Sequence, residues 1–260
     1  MELIQSSENS LFKEIKKLKD KKYRVERSQF IVEGFRFVSE ALDSDFKVPY
    51  LFISESSMTK YEIFNISSKL QKDSKVFAIK EALLKAMCST DNPQGIAAVV
   101  QNEILDISLK DGFYILVDKV QDPGNLGTII RTSHAAGALG VIVTKGTVDA
   151  YNEKTLRSTM GSIFHIPIID DSDYSVVKRL KTEGFKLMAS SLDTEKNFYD
   201  VDLRGKVIIG VGSEGNGISQ EIYDLSDELI KIPMPGGSES LNVGVAASIM
   251  IFEAVRQKSL

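Results

Sequence analysis

Three segments of the chain carry side chains at spacings able to do chemistry. The first is Asp118-Lys-Val-Gln-Asp122-Pro-Gly-Asn125-Leu-Gly127-Thr-Ile-Ile-Arg131-Thr132. It follows an apolar run, turns at Asp-Pro-Gly and enters a helix that Asn125 can cap. Gly127 permits close packing near the helix start. Arg131, six residues after Asn125, is long enough for its guanidinium to converge with that amide. The second is Gly210-Val-Gly212-Ser-Glu214-Gly215-Asn-Gly217, which places one carboxylate in a glycine loop after an apolar strand. The third runs Ile232-Pro233-Met234, a Pro-Gly-Gly turn, then Ser240-Leu241-Asn242-Val243 into a helix of small residues. Ile232, Met234 and Leu241 can line an apolar pocket, while Ser240 and Asn242 offer hydrogen bonds at a helix N-terminus. Such loops bring backbone N–H groups close to a ligand. Each segment alone also has a plain structural account: a capped helix with a surface arginine, a turn, and a tightly packed helix.

Gly210-x-Gly212-x-x-Gly215 is, read literally, a dinucleotide fingerprint. It comes late, with one strand expected to follow. Glu214 would also repel a pyrophosphate, and the next strand ends in Lys-Ile-Pro rather than an acid for the ribose. His134 and His165 are scattered, and Cys88 is the only cysteine. No intramolecular disulfide is possible, no metal-ligand spacing occurs, and no metal is expected. Cys88 reads as a small buried residue.

The elements that must hold these loops alternate between strand and helix. Strands are expected at 113–117, 141–144, 163–168, 186–190, 207–211 and 229–232. Helices are expected at 126–136, 152–159, 174–181, 219–225 and 241–257. Runs such as FYILV and VIIGV suit strands buried on both faces of a parallel sheet. Ligands of such sheets bind beyond the carboxyl ends of the strands, where the three loops fall. Before them, residues 6–20 read as one helix capped by Ser10, followed by strands at 29–33, 50–54, 75–79 and 95–100. The polar stretch 104–112 reads as a linker. The chain is therefore α/β throughout: a smaller N-terminal α/β domain over 1–103, and a parallel sheet with helices on both faces over 113–260.

The 260 residues are 43% hydrophobic and 26% charged, enough for sizeable cores and not a disordered composition. No apolar stretch approaches the length of a membrane span, and the start lacks the pattern of a signal peptide, so a cytoplasmic protein is expected. The net charge of −4 argues weakly against nucleic acid. Between residues 13 and 27, however, eight basic residues face three acidic ones. Taken alone, that run reads as a solvated amphipathic helix.

Taken together and in order, the three segments resemble the SpoU/TrmH-type RNA ribose 2′-O-methyltransferases of the SPOUT superfamily. Asn125, Gly127 and Arg131 match the first motif; Gly212, Glu214, Gly215 and Gly217 the second; Ile232, Pro233, Met234, Ser240, Leu241, Asn242 and Val243 the third. Asn92-Pro-Gln-Gly95 matches a segment that precedes the catalytic domain in that family. The N-terminal part looks like the RNA substrate-binding domain often attached to it. Gly244, where many members carry Ser or Ala, and the extended turn before Ser240 depart from the pattern.

The resemblance implies a C-terminal trefoil knot, a homodimer, and methyl transfer from S-adenosylmethionine to a ribose 2′-hydroxyl, with ribosomal RNA of the 23S type favoured over tRNA. The competing class is a non-catalytic RNA-binding or ribosome-assembly protein on the same scaffold. By the same analogy Asn125, Arg131, Glu214, Ser240 and Asn242 do the chemistry. Gly212, Ile232, Met234 and Leu241 hold the cofactor. Lys16, Lys17, Lys21, Lys22 and Arg24, with Arg131, contact RNA.

Overall fold

The computed structural model describes residues 1–90, 92–103 and 106–259. Residues 104 and 105, which open the expected linker, and residue 260, which ends the expected catalytic domain, lie outside the described residues. The chain divides into two compact units: residues 1–103 with 151–164, and residues 104–150 with 165–260. The segment 151–164, expected within the C-terminal domain, thus clusters with the first unit.

The first unit is a mixed five-stranded sheet. Its strands are β1 (Glu2–Ile4), β2 (Gln29–Glu33), β3 (Tyr50–Ser54), β4 (Lys75–Ile79) and β5 (Ile96–Gln101), in the order β1-β4-β3-β5-β2. β1 is a three-residue edge strand with only Ile4 buried, too short for a periodic signal in the sequence. The helix expected over 6–20 is α-helical only from Ser10 to Lys16. α1 (Ser10–Lys16) is capped by Asn9, not Ser10, through the Phe12 N–H at 3.0 Å. A 3-10 turn over Lys17–Lys19 follows, and Asp20 caps α2 (Lys21–Arg27). The apolar stripe Phe12, Ile15 and Leu18 runs through the break into one core with Ile31, Phe52 and Phe77. An apolar stripe therefore does not reveal where the α-helix within it ends. Helices α3 (Phe35–Asp43), α4 (Met58–Ile63), α5 (Ile66–Lys69) and α6 (Glu81–Met87) complete the N-terminal stretch. In the segment 151–164, Phe164 meets the rings of Phe30, Phe37 and Phe46.

The second unit is a six-stranded, wholly parallel sheet. Its strands are β6 (Gly112–Val117), β7 (Gly140–Thr144), β8 (Ile168–Asp171), β9 (Lys186–Ser190), β10 (Lys206–Val211) and β11 (Glu228–Ile230), in the order β11-β9-β10-β6-β7-β8. The chain starts at β6, steps outward to β8, crosses to β9, and then inserts β10 between β9 and β6. That reversal puts the carboxyl ends of β6 and β10 side by side, Val117 opposite Val211, at the kind of switch point where such sheets bind ligands.

The helices are α7 (Pro123–Ala135), α8 (Glu153–Thr159, within the first unit), α9 (Ser175–Thr182), α10 (Gln220–Leu225) and α11 (Val243–Lys258). Tyr114, Leu116 and Ile208 face Val177 and Leu180 of α9 and Ile222 of α10. α11 covers the other face, where the Lys258 ammonium stands 5.0 Å from the Phe113 ring. Both faces are dry, which is why β6 and β10 read as unbroken apolar runs.

The strands β8 and β11 depart from the expected boundaries. The strand expected over 163–168 is a 3-10 turn at Ser162–Phe164, and β8 starts only at Ile168. Pro167 interrupts the apolar run because it cannot donate to a ladder. The strand expected to end at residue 232 ends at Ile230, leaving Ile232 in a loop.

Candidate active site

α7 begins three residues earlier than expected, and this decides the role of Asn125. Pro123 takes the first turn, and the Asp122 carboxylate accepts from the Asn125 N–H at 2.8 Å. Asp122, not Asn125, is the cap, so the Asn125 side chain is released. Its Nδ2 donates to Glu214 Oε1 at 2.6 Å, and its Oδ1 accepts from Asn242 Nδ2 at 3.0 Å. Asn242 caps α11, its Oδ1 accepting from the N–H groups of Gly244 at 2.9 Å and Val245 at 3.2 Å.

Direction propagates along this chain. The helix end claims the Asn242 oxygen, which turns its NH2 to Asn125, which in turn presents its own NH2 to Glu214. Residues 89 and 117 positions apart are thereby fixed to one another. A Cβ on Gly244 would stand 3.2 Å from Asn242 Oδ1 and 3.5 Å from Asn125 Oδ1, a tight fit. Below this, α7 and α11 are tied by Thr132 Oγ1 and Ser248 Oγ at 3.2 Å.

The Glu214 loop is equally constrained. Ser213 and Gly217 exchange two backbone hydrogen bonds of 2.9 Å, closing the turn. A Cβ on Gly212 would lie 2.0 Å from the Gly217 carbonyl carbon, so no other residue fits. The loop's far end is held by Asp118, which is fully buried. One carboxylate oxygen accepts from Thr144 Oγ1 and the other from the Ser219 N–H, both at 2.6 Å. The Asp118 N–H itself donates to the Val211 carbonyl at 2.9 Å. Sequence reasoning gave Asp118 no role, although a carboxylate ending the run FYILV was a signal that something must satisfy it.

A cavity of about 600 Å³ opens beyond the ends of β9, β10 and β11. Gly212, Ile232, Met234 and Leu241 all line it, as do Glu214 and Ser240. The loop 212–218 does not enter a helix as a dinucleotide fingerprint does; it closes on itself, and α10 begins only at Gln220. Arg131 is not brought to Asn125. It is exposed on α7 and makes no hydrogen bond or ion pair among the described residues. His134 and His165, far apart in sequence, stack with ring centroids 5.0 Å apart.

The basic run of the first unit does not act as one surface. Lys16, Lys21 and Lys22 are exposed. Lys17 is paired with Glu14 at 2.8 Å. Arg24, expected to contact RNA, is buried, and its Nη1 donates to the carbonyls of Leu18 at 2.8 Å and Lys19 at 2.7 Å. It satisfies carbonyls that the break between α1 and α2 leaves open, and is withdrawn from any phosphate.

The family model of the SpoU rRNA methylase family matches residues 112–252, spanning all three loops. The chain belongs to the SpoU rRNA methylase family. An MRM3-like substrate binding domain matches residues 9–98 of this SpoU methylase. Among curated relatives, the 23S rRNA (guanosine(2553)-2′-O)-methyltransferase RlmP of Bacillus subtilis (strain 168) is 37% identical, over 97% of this chain and 98% of its own. An AdoMet-bound rRNA methyltransferase from Sinorhizobium meliloti is 30% identical with a TM-score of 0.85, covering 98% of this chain and 97% of that one. The SpoU methyltransferase AviRb from Streptomyces viridochromogenes, in complex with the cofactor AdoMet, is 27% identical with a TM-score of 0.88, covering 96% and 98%. In this SpoU methylase the extended turn Pro235–Glu239 is exposed throughout, so its extra length stays out of the core.

Proposed function

We propose that this SpoU methylase transfers a methyl group from S-adenosylmethionine to the ribose 2′-oxygen of a guanosine in 23S rRNA. The observation that carries this is the bonded chain Glu214–Asn125–Asn242, held on the same loop that walls the 600 Å³ cavity. The volume falls in the range of about 300–1,000 Å³ usual for small-molecule sites. Its lining suits the cofactor: Ile230, Ile232, Met234 and Leu241 offer apolar walls for a base, and the 212–217 backbone and Ser240 offer polar groups. When bound, S-adenosylmethionine supplies a methyl group already activated on a sulfonium, so the chain must align acceptor and donor and manage one proton.

Gly212, Ile232, Met234 and Leu241 hold the cofactor, partly through backbone. Asn125 and Asn242 fix Glu214, whose second oxygen has no hydrogen-bond partner among the described residues and orients the acceptor ribose. Ser240 supports the cofactor edge. Arg131 is an exposed cation on α7, unpaired among the described residues. Arginine stays protonated, so it acts on the RNA phosphate or the developing oxyanion rather than as a base. Lys16, Lys21 and Lys22 of the first unit contact RNA phosphates, which position without specifying sequence.

Val245 and Phe252 of α11, with Leu241 before it, leave an apolar stripe exposed, which supports a homodimer. The trefoil knot and a cytoplasmic location belong to the same reading. Among the described residues no helix is long and apolar enough to cross a membrane.

The test is methyl-labelled S-adenosylmethionine with 23S rRNA from a strain lacking the protein. Label on a guanosine 2′-oxygen, lost in Arg131→Ala, is expected. Label on a base would overturn the ribose assignment. No label on RNA or on ribosomal particles, with cofactor binding intact, would favour the non-catalytic class.

A further inference from the structure

The loop 213–218 also walls a second cavity of about 370 Å³, completed by Lys119, Gln121 and Ser219. The two cavities share the segment 213–218, and with it Glu214. This matters for any transfer between two ligands. The reacting atoms must come within roughly 3–3.5 Å, so the acceptor must reach the loop by a route the donor does not fill.

Lys119 is built for this cavity at a conformational cost. Its φ is +56°, a region a side-chain-bearing residue rarely adopts. Its N–H is pinned by Thr147 Oγ1 at 3.0 Å, and a Cβ on Gly146 would stand 3.3 Å from Lys119 Cγ, so the lysine stem lies over that glycine. Strained backbone of this kind clusters at functional sites, and here it stands at the wall of a cavity. The only ion pair that Lys119 makes among the described residues is a loose one, 3.7 Å to Glu221 Oε2, with both side chains about half exposed. Pairs of that kind are weak and exchangeable, so a phosphate can replace the carboxylate.

We propose that this second cavity is the acceptor-nucleotide subsite. Lys119 takes the phosphate adjoining the methylated ribose, and Gln121, exposed at the mouth, hydrogen-bonds the base. The inference rests on the function proposed above and adds to it where the RNA enters and which cation meets it.

The test compares Lys119→Gly, which removes the cation and relaxes the backbone, with Lys119→Arg, which keeps the charge. Methyl transfer to 23S rRNA is measured as a function of salt, S-adenosylmethionine binding is measured by calorimetry, and guanosine 3′-monophosphate binding is measured by ligand-observed NMR. Lys119→Gly is expected to raise KM for RNA about tenfold and abolish the nucleotide signal, leaving cofactor affinity unchanged. It should also flatten the salt dependence by roughly 0.7–0.9 in log–log slope, the share of a single phosphate contact. Lys119→Arg should restore most of both. Glu221→Gln, which removes the competing carboxylate, should lower KM for RNA.

An active wild type whose KM and salt slope are unmoved in Lys119→Gly overturns the subsite and leaves the methyltransferase standing. A wild type that transfers no methyl to RNA, yet binds the mononucleotide through Lys119, removes the proposed reaction and keeps the subsite. Nucleotide binding that survives Lys119→Gly overturns it in either case.

Discussion

The Glu214–Asn125–Asn242 chain and the basic run 16–24 are opposites. The first joins Asn125 to Glu214 and Asn242, 89 and 117 residues further along, into a fixed constellation, each member oriented by the next. The second is contiguous in sequence, yet the fold disperses it: Lys16, Lys21 and Lys22 go to solvent, Lys17 goes to Glu14, and Arg24 goes to the interior. Side chains act together when hydrogen bonds leave them no other orientation. Nearness along the chain supplies no such constraint, because every helical turn or cap redistributes neighbours to different faces.

The largest expected effect breaks the ordered side of this contrast. Gly212→Ala forces a methyl group into the Gly217 carbonyl. The loop cannot yield without losing the Ser213–Gly217 turn. Cofactor binding measured by calorimetry should disappear, with a drop in Tm. Next, Arg131→Ala should lower the rate of methyl transfer about 10²–10³-fold, the scale of one lost charge-stabilising donor, and leave S-adenosylmethionine affinity unchanged. Equal losses of rate and cofactor affinity would count against its role toward RNA.

Asn242→Ala removes both a cap and a link. It should cost about 1 kcal/mol of stability and lower activity. Paired with Asn125→Ala it should show marked non-additivity, because both act through Glu214. Simple addition of the two losses would mean that the bonded chain carries no function.

On the dispersed side, Arg24→Ala should destabilise by about 1–3 kcal/mol through the stranded carbonyls and leave the salt dependence of RNA binding as it was. Replacing Lys16, Lys21 and Lys22 together by Gln should do the reverse. The log–log salt slope should flatten by about 2–3, with stability changed by no more than roughly 0.5 kcal/mol per site.

The smallest effect concerns Glu153, whose carboxyl burial pushes above its ordinary range despite Lys19 and Arg157 nearby. A folded-state pKa raised above the unfolded value favours folding at pH below the unfolded pKa, near 4.5. That contribution is lost as pH rises through the folded value. Glu153→Gln should therefore raise Tm slightly at neutral pH and have no such benefit in acid. Burial likewise raises the Cys88 thiol far above its usual range, with the Glu33 carboxylate adding to the effect. Alkylation of the folded protein should be slow.

The residue pattern alone specifies the parallel sheet, because strands buried on both faces must be apolar at every position. It determined the three loops, because a backbone that approaches a ligand or itself needs glycine, as Gly212 does. It marked Asn125, Glu214 and Asn242 as candidates through their motif order. Packing settles which carboxylate caps α7, and so frees Asn125 for the site. The same holds for Asp118 as the buried anchor of the Glu214 loop, for the burial of Arg24, and for the second cavity beside Lys119. These depend on which backbone N–H and C=O groups the packing leaves unsatisfied. That is a property of contacts between distant segments, with no periodicity along the chain to announce it.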